Sequence, residues 1–197
     1  MKRFIVVFLF AFGLYHTYLF AQDDSIQFPI YVYEDFESSK NHGVPSGWMG
    51  DYRDILLNLN YKDNPYSGKS CLKITYTAKG SRKAYWAGIM WQYPANNDGA
   101  INSGINLGQA KKVIFWARGK KGGEIIDSFS LGGAIGSYPD SDSVSIKNIV
   151  LSKEWKEYEI DLKGHDLRYI SGFFSVVASK YKNPKGLTFY LDEVRIE

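Results

Sequence analysis

Two groups of residues in this 197-residue chain have the types and spacing to do chemistry. The first is acidic. Strict alternation in the closing stretch, Leu187 to Ile196, predicts a strand with Tyr190, Asp192, Val194 and Ile196 on one face. A carboxylate on an apolar face is costly unless something compensates it. Tyr31, Tyr33, Asp35 and Glu37 share a face in the same way near the other end. If the first and last strands lie close together, these acids converge, and the Ser67-Gly68-Lys69 turn could add backbone carbonyls. Calcium takes roughly six to eight such oxygens. Two alternatives stand beside it: an ordinary salt bridge from Asp192 to Arg195 or Lys69, or a bulge that turns Asp192 outward.

The second group is aromatic. Phe, Trp and Tyr make up 16% of the chain, with 15 Tyr and 5 Trp, and that excess needs a reason. Tyr85, Trp86, Trp91 and Tyr93 fall in one strand and its exit, which runs into Asn96-Asn97-Asp98. Trp116 and Arg118 share one face of another strand, while Val113, Phe115 and Ala117 make an apolar row on the other. Flat rings stack on the C–H faces of sugars, and Asn, Asp and Arg hydrogen-bond hydroxyls. Tyr85, Trp91, Tyr93, Asn97, Trp116 and Arg118 are therefore the candidate carbohydrate-binding set. Parity groups Tyr85, Ile89, Trp91 and Tyr93, with Trp86, Gly88 and Met90 opposite, so Trp86 and Trp91 cannot share a groove without a bulge. For any one of these rings, a place in the core is the competing reading. Trp48 and Trp155 read as core or loop anchors.

The elements that must position these groups are strands. Helical periodicity is almost absent, and period-two stretches dominate. Strands are expected at Tyr31 to Phe36, Ile55 to Asn60, Ser70 to Thr77, Tyr85 to Gln92, Val113 to Arg118, Val144 to Leu151, Tyr158 to Leu162, Ile170 to Val177 and Leu187 to Ile196, with a weaker one at Ser128 to Ala134. Turn signals such as Asn64-Pro65, Gly122-Gly123 and Asn183-Pro184 separate them. About ten short strands without helices predict an all-β fold, a two-sheet antiparallel β-sandwich of jelly-roll type. Residues 22–197 read as a single domain. Residues 1–21 read as a signal peptide: Lys2-Arg3, an apolar run from Phe4, and Ala21 before the polar Gln22-Asp23-Asp24. The rival is an uncleaved anchor, since Phe4 to Ala21 approaches a minimal span. Cleavage after Ala21 would leave no membrane span and place the chain in a secreted, periplasmic or extracellular setting.

The mature chain resembles the calcium-dependent jelly-roll carbohydrate-binding modules, within the wider galactose-binding-like fold. The stretches that carry the likeness are Tyr33-Glu34-Asp35-Phe36-Glu37, Tyr66-Ser67-Gly68-Lys69-Ser70-Cys71-Leu72-Lys73-Ile74, Val113-Ile114-Phe115-Trp116-Ala117-Arg118-Gly119 and Phe189-Tyr190-Leu191-Asp192-Glu193-Val194. The resemblance implies a structural Ca2+ with Glu37 and Asp192 as side-chain ligands, Lys69 as a carbonyl ligand and Asp35 as a fourth. It also implies a polysaccharide or glycan as partner. Such modules normally accompany a catalytic domain, which this chain lacks, so a structural or adhesive role with a cell-surface protein partner stands as the alternative.

Composition and motifs exclude other classes. Removing Lys2 and Arg3 takes the balance from 24 basic groups to 22, against 21 acidic ones. A near-neutral chain without a basic block is a poor nucleic-acid binder. No nucleophile elbow, metalloprotease or phosphate-loop signature occurs, and Glu159-Ile160-Asp161 lacks the third acid of jelly-roll glucanases. No enzyme activity is expected. The single Cys71 cannot form an internal disulfide and reads as a small buried hydrophobe.

Overall fold

Alternation builds the strands, and burial then selects which face of each becomes core. In a computed structural model that describes residues 26–197, eleven strands pair into two antiparallel sheets. They are β1 (Ile30–Tyr33), β2 (Val44–Gly50), β3 (Ile55–Tyr61), β4 (Cys71–Tyr76), β5 (Trp86–Gln92), β6 (Lys112–Gly119), β7 (Ile125–Gly132), β8 (Ser143–Val150), β9 (Lys156–Asp161), β10 (Gly172–Ser179) and β11 (Leu187–Ile196). The first sheet runs β3-β4-β11-β6-β9, and β1 pairs the end of β11 beyond the reach of β4. The second runs β2-β5-β10-β7-β8. This is the jelly-roll sandwich that the strand pattern predicts. The expected signal segment lies outside the described residues, and among those described no helix is long and apolar enough to cross a membrane.

Much of the aromatic excess goes into the interior. Trp91, Tyr76, Phe115, Phe129, Phe173, Phe174 and Phe189 are all fully buried. Phe115 of one sheet meets Phe129 and Phe174 of the other at ring-centroid distances of 4.6 and 5.2 Å, which ties the two layers together. Edge-to-face and offset pairs of this kind contribute beyond their buried area. Cys71 is buried as expected, and burial pushes its thiol up to about 12.

Three local departures matter for the site. β2 carries Pro45 and Gly47 and has no period-two signal, yet it pairs with β5 at the sheet edge, where a proline is tolerated. β1 stops at Tyr33, so Asp35 and Glu37 lie in the turn that follows and share no strand face. In β11 the register shifts between Asp192 and Arg195, and Glu193 takes φ 51°. This bulge inverts parity. Phe189, Leu191, Val194 and Ile196 all join the core, while Asp192 faces away from it, paired across the strands with Trp116.

Candidate functional site

The exposed aromatic site starts from two buried aspartates. Asp51 follows β2, and its carboxylate accepts the backbone N–H groups of Arg82 and Ala84 at 2.7 and 3.1 Å and of Tyr85 at 2.6 Å. Asp54 accepts the N–H of Gly80 at 2.7 Å. Both carboxylates thus close the loop between β4 and β5, in which Ala78, Gly80, Lys83 and Tyr85 all have positive φ. Such backbone persists only when its surroundings over-determine it. The loop delivers Tyr85 and Trp86 to the start of β5, where the two residues are 55% and 38% exposed. Gly50, at φ 60°, lies beneath the Trp86 ring, and a Cβ there would sit 2.4 Å from the Trp86 carbonyl oxygen.

From Trp86 the outer face of the second sheet runs away as a low floor. Trp86, Gly88 and Met90 on β5 pair with Ser179, Val177 and Ser175 on β10. Beyond them lie Ser128 and Ser130 on β7, then Lys147 and Ser145 on β8. Ser179, directly opposite Trp86, donates its hydroxyl to Asp127 at 3.1 Å. Asp127 pairs with the Lys182 ammonium at 2.7 Å, and Lys182 also donates to the Asn148 amide oxygen. One exposed ring therefore stands opposite a hydroxyl that leads, through successive hydrogen bonds, to a carboxylate, an ammonium and an amide. An apolar ring can stack on a flat C–H face while these groups exchange hydrogen bonds with hydroxyls.

The expected residues fall in three places. Tyr85 belongs to the site just described. Trp91 does not: only 1% exposed, it packs edge-on against Phe174 at 6.0 Å in the core, and so does not line a groove. Tyr93 is exposed beyond β5 and stacks on Phe173 at 6.2 Å. Asn97 is fully buried as a loop fastener, donating to the Tyr93 carbonyl and the Ser103 hydroxyl and accepting from Ile101. Trp116 and Arg118 occupy the outer face of the other sheet, opposite the core row Val113, Phe115 and Ala117. There Tyr66 covers Trp116, with centroids 3.8 Å apart and planes 12° apart, and the Arg118 guanidinium lies over Tyr190 at 3.9 Å and over Trp155 at 5.1 Å. The structure thus separates Trp116 and Arg118 from Tyr85. Trp86, which parity sets opposite Trp91, is the ring that the carbohydrate-binding set left out.

The acidic group does not fit a calcium ion. Asp192 accepts the N–H groups of Tyr66 and Ser67 at 2.8 and 3.1 Å and that of Glu193 at 2.9 Å. Asp35 accepts the N–H groups of Lys69 and Ser70 at 2.6 and 3.1 Å. The turn between them therefore offers amide donors to both carboxylates, where a calcium site needs carbonyl oxygens and free carboxylate lone pairs. Glu37 is exposed and faces the Lys69 ammonium at 3.7 Å. Among the described residues, no three His, Cys, Asp or Glu side chains are grouped to hold a metal. Burial pushes Asp192 up to about 7, even though its backbone donors favour the charged form.

No family model and no curated relative matches the sequence. Solved structures do match the fold. A family 30 carbohydrate-binding module from a cellulosomal cellulase of Clostridium thermocellum aligns at TM-score 0.60 and 14% identity, covering 87% of this chain and 98% of that one. A family 11 module from a cellulosomal cellulase of the same organism aligns at 0.54 and 16%, covering 87% and 95%. A variant family 29 module, complexed with cellulohexaose, aligns at 0.50 and 10%, covering 85% and 88%. At these identities the likeness establishes the fold, and the chain shares the jelly-roll sandwich of these carbohydrate-binding modules.

Proposed function

We propose that this protein is a non-catalytic carbohydrate-binding module that works outside the cytoplasm and holds a polysaccharide across the outer face of its second sheet. The observation that carries this reading is Trp86, an exposed ring on a strand, fixed by a loop built on Asp51 and set opposite Ser179, which bonds the Asp127–Lys182 pair. In this assignment Trp86 stacks on a sugar ring, Tyr85 extends the platform, and the serine-bearing floor of β10, β7 and β8 leaves room for a chain. No general acid and base face each other there. Elsewhere, Glu159 pairs with Lys112 and His165 with Asp142, both at the surface. The cellulohexaose bound by a family 29 module makes β-linked gluco-oligosaccharides the first ligands to try. Calorimetric titration should show Trp86→Ala weakening glycan binding by about 1 to 3 kcal/mol, the cost of losing an aromatic anchor. Affinity unchanged by that substitution would remove the site.

A further inference from the structure

At one end of the sandwich, β4, β11 and the turns that follow β6 and β10 line an open cavity of about 490 Å³. Ligand sites commonly span roughly 300 to 1,000 Å³. Three lysines stand in its wall, Lys120, Lys121 and Lys185, all exposed. None of them has an ion-pair partner among the described residues. The one acid in the wall, Glu124, is turned inward. Its Oε1 accepts the N–H of Lys121 at 2.7 Å, and its Oε2 is buried without a partner against Gly119. Glu124 offsets one of the three lysines, so the wall keeps an excess of positive charge.

The same wall carries hydroxyls and an amide. Thr75 and Thr188 share a hydrogen bond at 2.9 Å across β4 and β11. Asn183 is part of the lining too, but its side-chain amide is taken up by the Ile125 and Ser179 backbone, and the Thr77 hydroxyl is buried with no protein partner. A concavity with an excess of one sign of charge concentrates counter-charged ligands. Threonine hydroxyls in that concavity suit a ligand that is itself polyhydroxylated. An anionic group on a sugar has both properties.

We propose that this cavity is a second binding site, which receives the carboxylate or sulfate groups of an acidic polysaccharide. The inference rests on the glycan-binding reading and names the charge class of its ligand. Lys120, Lys121 and Lys185 supply the attraction, and the paired Thr75 and Thr188 hydroxyls lie in the same wall. Exposed charge contacts are weak singly and salt-screened, so three are needed and the effect must fall with ionic strength.

The test titrates the protein with polygalacturonate, its methyl ester, dextran sulfate and cellulohexaose, at low salt and at about 0.5 M NaCl, where the Debye length is only a few ångströms. The expected result is tighter binding of polygalacturonate, dextran sulfate or both than of the neutral ester, with the difference closing at high salt. A triple variant, Lys120→Ala, Lys121→Ala and Lys185→Ala, should lose that preference by about tenfold or more, the sum of three modest charge contacts. A preference confined to polygalacturonate identifies the carboxylate as the recognised group, and one confined to dextran sulfate identifies the sulfate. Equal affinity for charged and neutral polymers, or a preference that the triple variant keeps, overturns the proposal. Neutral-glycan binding that the triple variant retains and Trp86→Ala loses would show that the parent reading stands when this one fails. Absence of binding to any of the four ligands would sink both.

Discussion

Trp86 and Trp91 are five residues apart on one strand and have opposite fates. Parity separates them in the sequence, but it cannot say which faces the core, because Ala87, Ile89 and Trp91 are as apolar as Trp86, Gly88 and Met90. The core face decides: Trp91 packs edge-on against Phe174 of its own sheet, and Phe115 of the partner sheet closes over Phe174 and Phe129 on that side. Truncating Trp91 to Ala should therefore cost about 3 to 5 kcal/mol of stability. Trp86→Ala should leave the melting temperature nearly unchanged, since little of its surface packs on the core. Chemical denaturation of the two variants measures the contrast, and equal losses would contradict the assignment. Asp192 offers a second test at this scale. Its folded-state value, near 7, stands above its ordinary value, so the folded protein holds a proton there that the unfolded chain has released. Stability from this group is full below about pH 4 and is lost as pH rises through 7. The carboxyls held below their ordinary range, Glu34, Asp35, Asp51, Asp142 and Asp166, act only at lower pH. Melting temperature should thus fall between pH 5 and pH 8, and Asp192→Asn should flatten that slope. A stability that rises over this interval would show that another group dominates.

Strand alternation was readable wherever one face is apolar and the other polar, as in β4 and β9. It failed where geometry is set by something other than side-chain pattern. β2 is held by its pairing with β5, and Pro45 and Gly47 hide it from any propensity argument. The β11 bulge hinges on Glu193 in a left-handed conformation, for which an ordinary glutamate gives no warning. Hence Asp192 looked like a buried acid on the core face, when it pins the Tyr66–Ser67 backbone from outside. The loop before β5 was equally opaque, because its anchors Asp51 and Asp54 lie more than twenty-five residues upstream of the N–H groups they hold. Its importance can be tested without touching a binding ring. Asp51→Ala leaves the N–H groups of Arg82, Ala84 and Tyr85 without their acceptor, so it should loosen the loop, lower the melting temperature and weaken glycan binding together. Amide hydrogen exchange at those three residues should quicken. Protection equal to wild type would show that the loop holds itself.

At the scale of the whole molecule, the sandwich was legible from strand count and turn spacing, and the place of the exposed rings was not. Aromatic excess serves two ends here, a core of interlocking rings between the sheets and a smaller exposed set on each outer face. Composition gives only their sum. The donor arrangement around Asp35 and Asp192 stabilises the turn between β3 and β4 through backbone amides, so chelation should not move the melting temperature. A shift worth about 2.7 kcal/mol, expected for a hundredfold excess over Kd, would show that the carboxylates rearrange around calcium. The central claim is that glycan binds beside Trp86 on the second sheet, away from Trp116 on the first. A glycan array probed in parallel with wild type, Trp86→Ala and Trp116→Ala tests it most directly, once matched melting curves show all three folded. The account predicts that the glycans held by wild type are lost by Trp86→Ala and kept by Trp116→Ala. The reverse pattern, or an array that wild type leaves blank, would contradict it.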